Sequence, residues 1–384
     1  MKIFLSFLQD KTELPHPVPS YRFWTHYIKN GIEEAGMTWV EAPEVDWAAG
    51  LIPYENSHEL DLWKDFSWSK TLAFIKKNQH KIDVFLSYLY PKQIDTHAIN
   101  EIRKLGIPCI NFFCDHVREY LNVPKEFMSF DLIWVPEFEA IDMYKRAKQK
   151  YVNLPMPIWI SPEYRFLPSE TNEIVSFIGT KDELRNNLLG KVIAKNQPIE
   201  ISGNGWINEN FQNNIQIKSV VGNRFFNQIK FIQQHGITGL YVKYLRKFES
   251  SISPIPEKYL SDMVTFKEYI RQTKESAITL GINRVQTYKS TDKYPLTYSR
   301  LRDLEAPMLG ACYLTEHTKG LEQLYDIGIE IETYKSIDEL IFKSAELLNN
   351  KKKRADLRKN GQFKALSNHS IPQSMEIINQ QIFK

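Results

Sequence analysis

Apolar residues fall along the chain in short runs separated by amphipathic stretches. The first run, Ile3 to Leu8, leads into a polar, proline-rich loop from Asp10 to Ser20. From Phe23 to Ala35, Phe23, Tyr27, Ile28 and Ile32 recur at helical spacing, and Gly36 marks the stop. Thr38 to Val40 starts a second strand, and strand signals return at Val84 to Tyr88, Cys109 to Phe113 and Leu132 to Val135. Helical stretches such as Thr96 to Leu105 and Glu139 to Ala147 lie between them. Short, mostly apolar strands alternating with helices predict a parallel sheet covered on both faces.

The segment Leu154 to Pro168 breaks the pattern, because Pro155, Pro157, Pro162 and Pro168 preclude a regular element and predict a stiff linker. A second series then opens at Ile174 to Thr180. Further strands are expected at Ile199 to Ser202, Val264 to Phe266, Ala277 to Leu280, Ala311 to Leu314 and Ile329 to Glu332. The Phe- and Tyr-rich stretch from about Asn223 to Lys258 looks like a helical insertion. Ile337 to Lys384 reads as helices interrupted near Asn360-Gly361 and at Pro372. The expected division is a first domain over 1–160, joined by a last helix over 370–384, and a second domain over 173–369.

Length supports this division, since 384 residues exceed one comfortable core and suit two α/β domains. A net charge of +3 on 49 basic and 46 acidic side chains is too balanced for a nucleic-acid surface, so no nucleic-acid partner is expected. Aromatics reach 13%, an excess better explained by core than by ring-stacking surfaces. Cys109, Cys114 and Cys312 form neither a disulfide framework nor a zinc spacing. The N-terminal run is too short for a signal peptide, and no apolar stretch is long enough to span a membrane. A cytoplasmic location is the expectation.

Several chemistries are missing their motifs. Neither half opens with Gly-x-Gly-x-x-Gly, and there is no phosphate loop of the Gly-x4-Gly-Lys type, no Gly-x-Ser-x-Gly elbow and no His-Glu-x-x-His helix. The chemistry that is present sits at strand ends in the second half, where open parallel sheets bind ligands. Gly179-Thr180 ends one strand, ahead of a helix carrying Arg185, and Gly203-Asn204-Gly205-Trp206 ends the next. Glycines there permit close backbone approach to a ligand and Arg185 can meet a phosphate, although ordinary glycine turns explain them equally well. In Tyr298 to Glu322, Arg302 and Glu305 share a helical face. A carboxylate there suits two neighbouring ribose hydroxyls; a surface ion pair is the plainer alternative. A helix starting at Gly320-Leu321 would offer free N–H groups to a diphosphate.

This segment resembles the glycosyltransferases grouped with the spore-maturation protein CgeB, in which an Arg-x-x-Glu-Ala helix, a Gly turn, a strand ending in Leu-Thr and Gly-Leu-Glu follow in this order. The resemblance extends back through Gly281-Ile282-Asn283-Arg284, Gly203 to Trp206 and Phe177 to Thr180, and forward through Ser336 to Leu340 and Asn368 to Ser370. It is weaker in the first half, at Pro108 to Asp115 and Pro155 to Pro168. It implies the GT-B fold, two Rossmann-like domains with parallel sheets facing across a cleft. It also implies a nucleoside-diphosphate-sugar donor, no cofactor and no obligatory metal. By matching position, Glu305 would hold the donor ribose, while Thr318, Gly320, Leu321 and Glu322 would face the sugar-diphosphate side. Asn283 lies in the matching turn, and Arg284 and Arg302 would balance phosphate charge. Many retaining enzymes of this fold carry a further glutamate where this chain has Thr297, so that pair does not define the stereochemistry here.

The first half would supply a base. Asp115, just past the apolar run Ile110 to Phe113 and beside His116, is the leading candidate for deprotonating an acceptor hydroxyl, with His16 second. An aspartate after a strand is also a common helix cap. The acceptor would be a glycan, a lipid-linked molecule or a protein. Competing readings are a nucleotide-sugar epimerase or hydrolase of the same fold, and a non-catalytic nucleotide-sugar-binding protein. Lys351 to Arg354 and the Phe225 to Phe248 stretch, with Lys230, Lys243, Arg246 and Lys247, would provide peripheral membrane contact, but basic runs more often form solvated helix faces.

Overall fold

A computed structural model describes residues 1–7, 21–52, 57–207, 239, 242, 254–285, 287 and 295–383. The chain divides into two compact units, Met1–Trp159 with Ser367–Lys384, and Ile160–Leu366. Most of the expected insertion lies outside the described residues, as does the stretch from Asp10 to Ser20 that the sequence led us to expect as a loop.

The first unit is built on six parallel strands: β1 (Lys2–Ser6), β2 (Thr38–Val40), β3 (Val84–Ser87), β4 (Cys109–Phe112), β5 (Leu132–Trp134) and β6 (Tyr151–Val152). Their order is β2-β1-β3-β4-β5-β6. The register places Ile3 beside Val84, Phe85 beside Cys109, and Ile110 beside Leu132. Every residue of β3 and β4 is buried, as expected of strands covered on both faces. Much of the aromatic excess goes into this core. Phe4 stacks on Phe85 at 5.4 Å, and Phe112 meets the edge of Trp134 at 5.3 Å. Trp47, Trp68 and Phe85 extend the cluster toward the helix Ser57–Asn78. The last helix, Ile371–Phe383, packs on Tyr21–Glu34 at Gly31, where a Cβ would lie 2.5 Å from Cβ of Ile371.

The second unit repeats the plan with β7 (Val175–Ile178), β8 (Glu200–Ser202), β9 (Leu260–Ser261), β10 (Ile278–Gly281), β13 (Tyr313–Glu316) and β14 (Glu332–Tyr334). The order is β14-β13-β10-β7-β8-β9, with every pairing parallel. A small antiparallel pair, β11 (Arg284–Val285) and β12 (Leu296–Thr297), stands apart. Val175, Phe177, Ile201, Ile278, Leu280 and Leu314 form the core with Leu188, Leu189 and Val192 of the helix Glu183–Ala194 and Leu340 and Leu347 of the helix Ile337–Asn349.

Two expectations are corrected. Val264 to Phe266 is not a strand: the Thr265 hydroxyl accepts the Glu268 N–H and caps the helix Phe266–Glu275. A Thr-x-x-Glu spacing carries that signal in the sequence. Nor does Asn360-Gly361 interrupt a helix, since Lys351–Asn368 is continuous. Gly361 is there for space, because a Cβ would lie 2.3 Å from the Glu330 carbonyl oxygen. Replacing an interior helical glycine by alanine ordinarily stabilises by ~1 kcal/mol. Here the sign reverses, and Gly361→Ala is expected to cost about 1–3 kcal/mol by overpacking. Urea unfolding measures this, and a more stable variant would refute the packing argument.

Candidate functional site

The C-terminal ends of β10 and β13 meet at one buried carboxylate. Gly281 must lack a side chain, since a Cβ would lie 2.1 Å from Tyr313 Oη and 2.2 Å from Thr315 Oγ1. Both hydroxyls donate to Asp303 Oδ1, at 2.8 and 2.9 Å. Oδ2 accepts from Asn283 Nδ2 and from the Arg300 N–H, each at 3.0 Å. Asp303 is fully buried; burial pushes its pKa up, and its donors oppose the rise. This aspartate opens the helix Arg302–Met308. Pro307 lacks the N–H that would bond the Asp303 carbonyl four residues earlier. The Tyr325 hydroxyl donates to that carbonyl instead, at 2.9 Å.

The anchored helix presents Arg302 and Glu305. Glu305 is 4% exposed, so the plain alternative of a surface ion pair does not hold. Its carboxylate accepts a short hydrogen bond from the hydroxyl of Tyr269, on the helix Phe266–Glu275. The Arg302 guanidinium lies 4.6 Å over the same ring. Burial lowers the Arg185 pKa, and the like charges of Arg300 and Arg302 lower it further against the opposing Asp182 carboxylate. Arg185 is already paired with Asp182, its Nε lying 3.2 Å from Oδ2, so the like charges of Arg300 and Arg302 act on a cation that has a partner. Asp303, Tyr269, Arg300 and Glu316 escaped the sequence reading. Only the like charges at Arg300 and Arg302 carried a signal there.

Other expected residues take structural positions. Gly203 has φ +137°, and a Cβ there would lie 2.3 Å from the Gly179 carbonyl oxygen. That oxygen accepts from Trp206 Nε1 at 2.7 Å, and Lys181 N–H reaches the Asn204 carbonyl at 2.9 Å. The two turns, including Gly205 at φ +84°, pack on each other. The ordinary-turn reading thus accounts for Gly203. Arg185 Nη1 donates to the Thr180 carbonyl at 2.8 Å. Arg284 forms a close ion pair with Glu316 at the end of β13, with Nε to Oε1 at 3.0 Å. Burial opposes its charge, but the Glu316 bonds outweigh this and raise its pKa. Thr297 stands opposite Arg284 on β12.

Gly320 adopts φ +88° ahead of a single turn, Leu321–Leu324. Backbone N–H groups at Glu322 and Gly320 bond the Glu322 carboxylate, which also meets His317 Nε2 at 2.5 Å. Those bonds lower the Glu322 pKa, the one to its own N–H foremost. The expectation of a helix start with free N–H groups is corrected accordingly. Thr318 is buried nearby. Two members of the basic run Lys351 to Arg354 are closely engaged within their own unit. Arg354 is 3% exposed and bonds Glu173 and the Leu347 and Leu348 carbonyls, while Lys353 pairs with Glu332 and Glu346. The Phe225 to Phe248 stretch lies, apart from Gly239 and Val242, outside the described residues.

In the first unit, Asp115 precedes the turn His116–Glu119 without capping it, and its Oδ2 accepts from Tyr90 Oη at 3.1 Å. Tyr88 Oη lies 3.3 Å from Tyr90 Oη and 3.6 Å from Cys114 Sγ. His116 does not assist Asp115. It is fully buried, with Nδ1 3.1 Å from Glu137 Oε2 and Nε2 2.5 Å from Tyr144 Oη. His16 lies outside the described residues. Among the described residues no helix is long and apolar enough to cross a membrane.

Two parallel six-stranded α/β units are the architecture of GT-B glycosyltransferases. Sucrose-phosphate synthase from Thermosynechococcus elongatus aligns with 100% of this chain and 99% of its own at 13% identity and a TM-score of 0.56. A glycosyltransferase from Rickettsia africae covers 100% and 98% at 10% identity and 0.58. Anabaena HepE, solved in complex with UDP, covers 99% and 99% at 11% identity and 0.55. At such identities the likeness is one of fold. The family described as glycosyl transferase-like matches residues 185–380, just over half of the chain, and the chain belongs to that family. No curated protein matches it in sequence.

Asp303→Ala takes away the acceptor of the buried Tyr313 and Thr315 hydroxyls, and each unmet group costs about 1–3 kcal/mol. The variant is expected to lose about 3 kcal/mol or more of unfolding free energy in urea. A loss under about 1 kcal/mol would show that Asp303 is not the anchor.

Proposed function

We propose that this chain, like the CgeB group it resembles, transfers a sugar from a nucleoside-diphosphate sugar to a hydroxyl of a glycan, lipid-linked or protein acceptor. The observation that carries the reading is the buried Glu305 carboxylate bonded to Tyr269, whose ring carries the Arg302 guanidinium, with Arg185 within electrostatic reach of Arg300 and Arg302. The ribose hydroxyls would donate to Glu305, and the diphosphate would meet the arginines. A departing nucleoside diphosphate gains negative charge in the transition state, so fixed cations there lower the barrier. They would supply the charge without an obligatory metal. The UDP bound to the Anabaena neighbour supports a uridine donor as the first to try. Asp115 of the first unit would take the acceptor proton, with Tyr90 holding its carboxylate.

The test is thermal stabilisation of the full chain by UDP, GDP, CDP, ADP and their sugar conjugates, with NAD and ATP as controls. A selective shift with one diphosphate supports the reading, because ligand binding to the native state raises its stability. No shift with any diphosphate would overturn it. Glu305→Ala is expected to weaken the selected diphosphate roughly ten- to a hundredfold, as loss of a charged hydrogen bond does. Unchanged affinity would remove the ribose assignment. Asp115→Asn is expected to lower turnover by about 10²–10⁴ with diphosphate affinity preserved. Near-normal turnover would eliminate Asp115 as the base.

A further inference from the structure

Arg302 and Glu305 lie one helical turn apart on one face, where opposite charges ordinarily pair. Such a pair would consume the carboxylate lone pairs that a ligand hydroxyl needs. Tyr269 reaches both groups from a different helix. Its hydroxyl donates to the Glu305 carboxylate, and its face carries the Arg302 guanidinium at 4.6 Å. One ring thus holds the anion at its edge and the cation over its face.

Tyr269 is itself held in place. Thr265 caps its helix, and Ile270 and Thr273 bury the helix's inner side. The ring packs against Phe266 at 6.4 Å. Burial foremost keeps the phenol protonated, so it remains a donor throughout the working pH range. Glu305 in turn belongs to the helix anchored through Asp303. The phenolic bond to the carboxylate therefore comes from a fixed support.

We infer that Tyr269 is a positioning residue that orients Glu305 as an acceptor for vicinal ribose hydroxyls, so that the site selects ribonucleotides over deoxyribonucleotides. This rests on the reading of Glu305 given above. Tyr269 does not touch the reacting atoms; it acts through the carboxylate. Removal of its hydroxyl takes that bond from Glu305 and blunts the response to a missing ribose hydroxyl.

The test uses the full chain with UDP, GDP, CDP and ADP, each against its 2′-deoxy and 3′-deoxy forms, with dissociation constants measured by calorimetry. Wild-type protein is expected to bind its preferred ribonucleotide roughly tenfold or more tighter than at least one deoxy form, the scale of a charged hydrogen bond. Tyr269→Phe keeps the ring, and with it the cation–π contact. It is expected to reduce that ratio at least threefold by weakening the ribonucleotide while leaving the deoxy form nearly unchanged. A Tyr269→Phe protein with a lowered melting temperature but the wild-type ratio would overturn the inference, because a purely structural role moves stability alone. Glu305→Gln completes a double-mutant cycle. Non-additive effects of the two changes on the ratio support coupling through the carboxylate, and additive effects refute it. If the wild type binds ribo and deoxy forms equally, the ribose assignment of Glu305 fails with it. A selective wild type with an unaffected Tyr269→Phe sinks only the role of Tyr269.

Discussion

A carboxylate removed from water must find donors, because an unsatisfied buried charge costs several kcal/mol. Asp303 meets that demand with hydroxyls from β13, an amide from the turn after β10 and the N–H of Arg300. The demand propagates outward. Tyr313 and Thr315 must approach closely, so Gly281 has no room for a side chain. Pro307 removes the bond to the Asp303 carbonyl, so Tyr325 reaches in to replace it. Two strands, a turn and a helix are thereby tied at one point, and the directions of Arg302 and Glu305 follow.

The same economy of charge shapes the rest of the strand-end edge. Glu316 is occupied by Arg284, and Glu322 by His317 and its own N–H groups. Neutral donors surround Asp303. Asp182 is likewise engaged by Arg185 at 3.2 Å, against the like charges of Arg300 and Arg302. Arg358 shows how the unit handles a cation it does not offer to a ligand: its guanidinium donates to the carbonyls of Lys274, Ser276 and Gly310.

How much of this was legible in the sequence depends on the range of the interaction. Strands such as Val84 to Ser87 and Ile278 to Gly281 announce themselves by local apolar runs. The strand expected at Val264 to Phe266 failed because Thr265, Val264 and Phe266 favour strands individually, while the cap spanning Thr265 to Glu268 decides the outcome. Gly361 looked like a stop because a helix neighbour far away in sequence, Glu330, was invisible. Glycines 179 and 203 suggested ligand approach, and a mutual approach of the two turns, invisible in the sequence, also requires Gly203. Asp303 and Tyr269 were illegible for the same reason: their roles exist only when residues tens of positions apart converge.

Glu305 drew notice in the sequence through its spacing from Arg302 and as one member of an ordered set of short motifs, and order can persist where identity does not. Neighbours that share as little as 10–13% of their residues with this chain keep the whole two-unit architecture. A parallel sheet asks for apolar runs, turn glycines and caps, and many sequences satisfy those demands. Side chains beyond the strand ends are under no such collective constraint, so chemistry there is set residue by residue. The buried network that aims Glu305 lies between these regimes. Asp303, Gly281 and Thr315 stabilise the fold, yet their geometry also decides where the carboxylate points. Fold stability and the direction of one buried carboxylate thus rest on the same few hydrogen bonds.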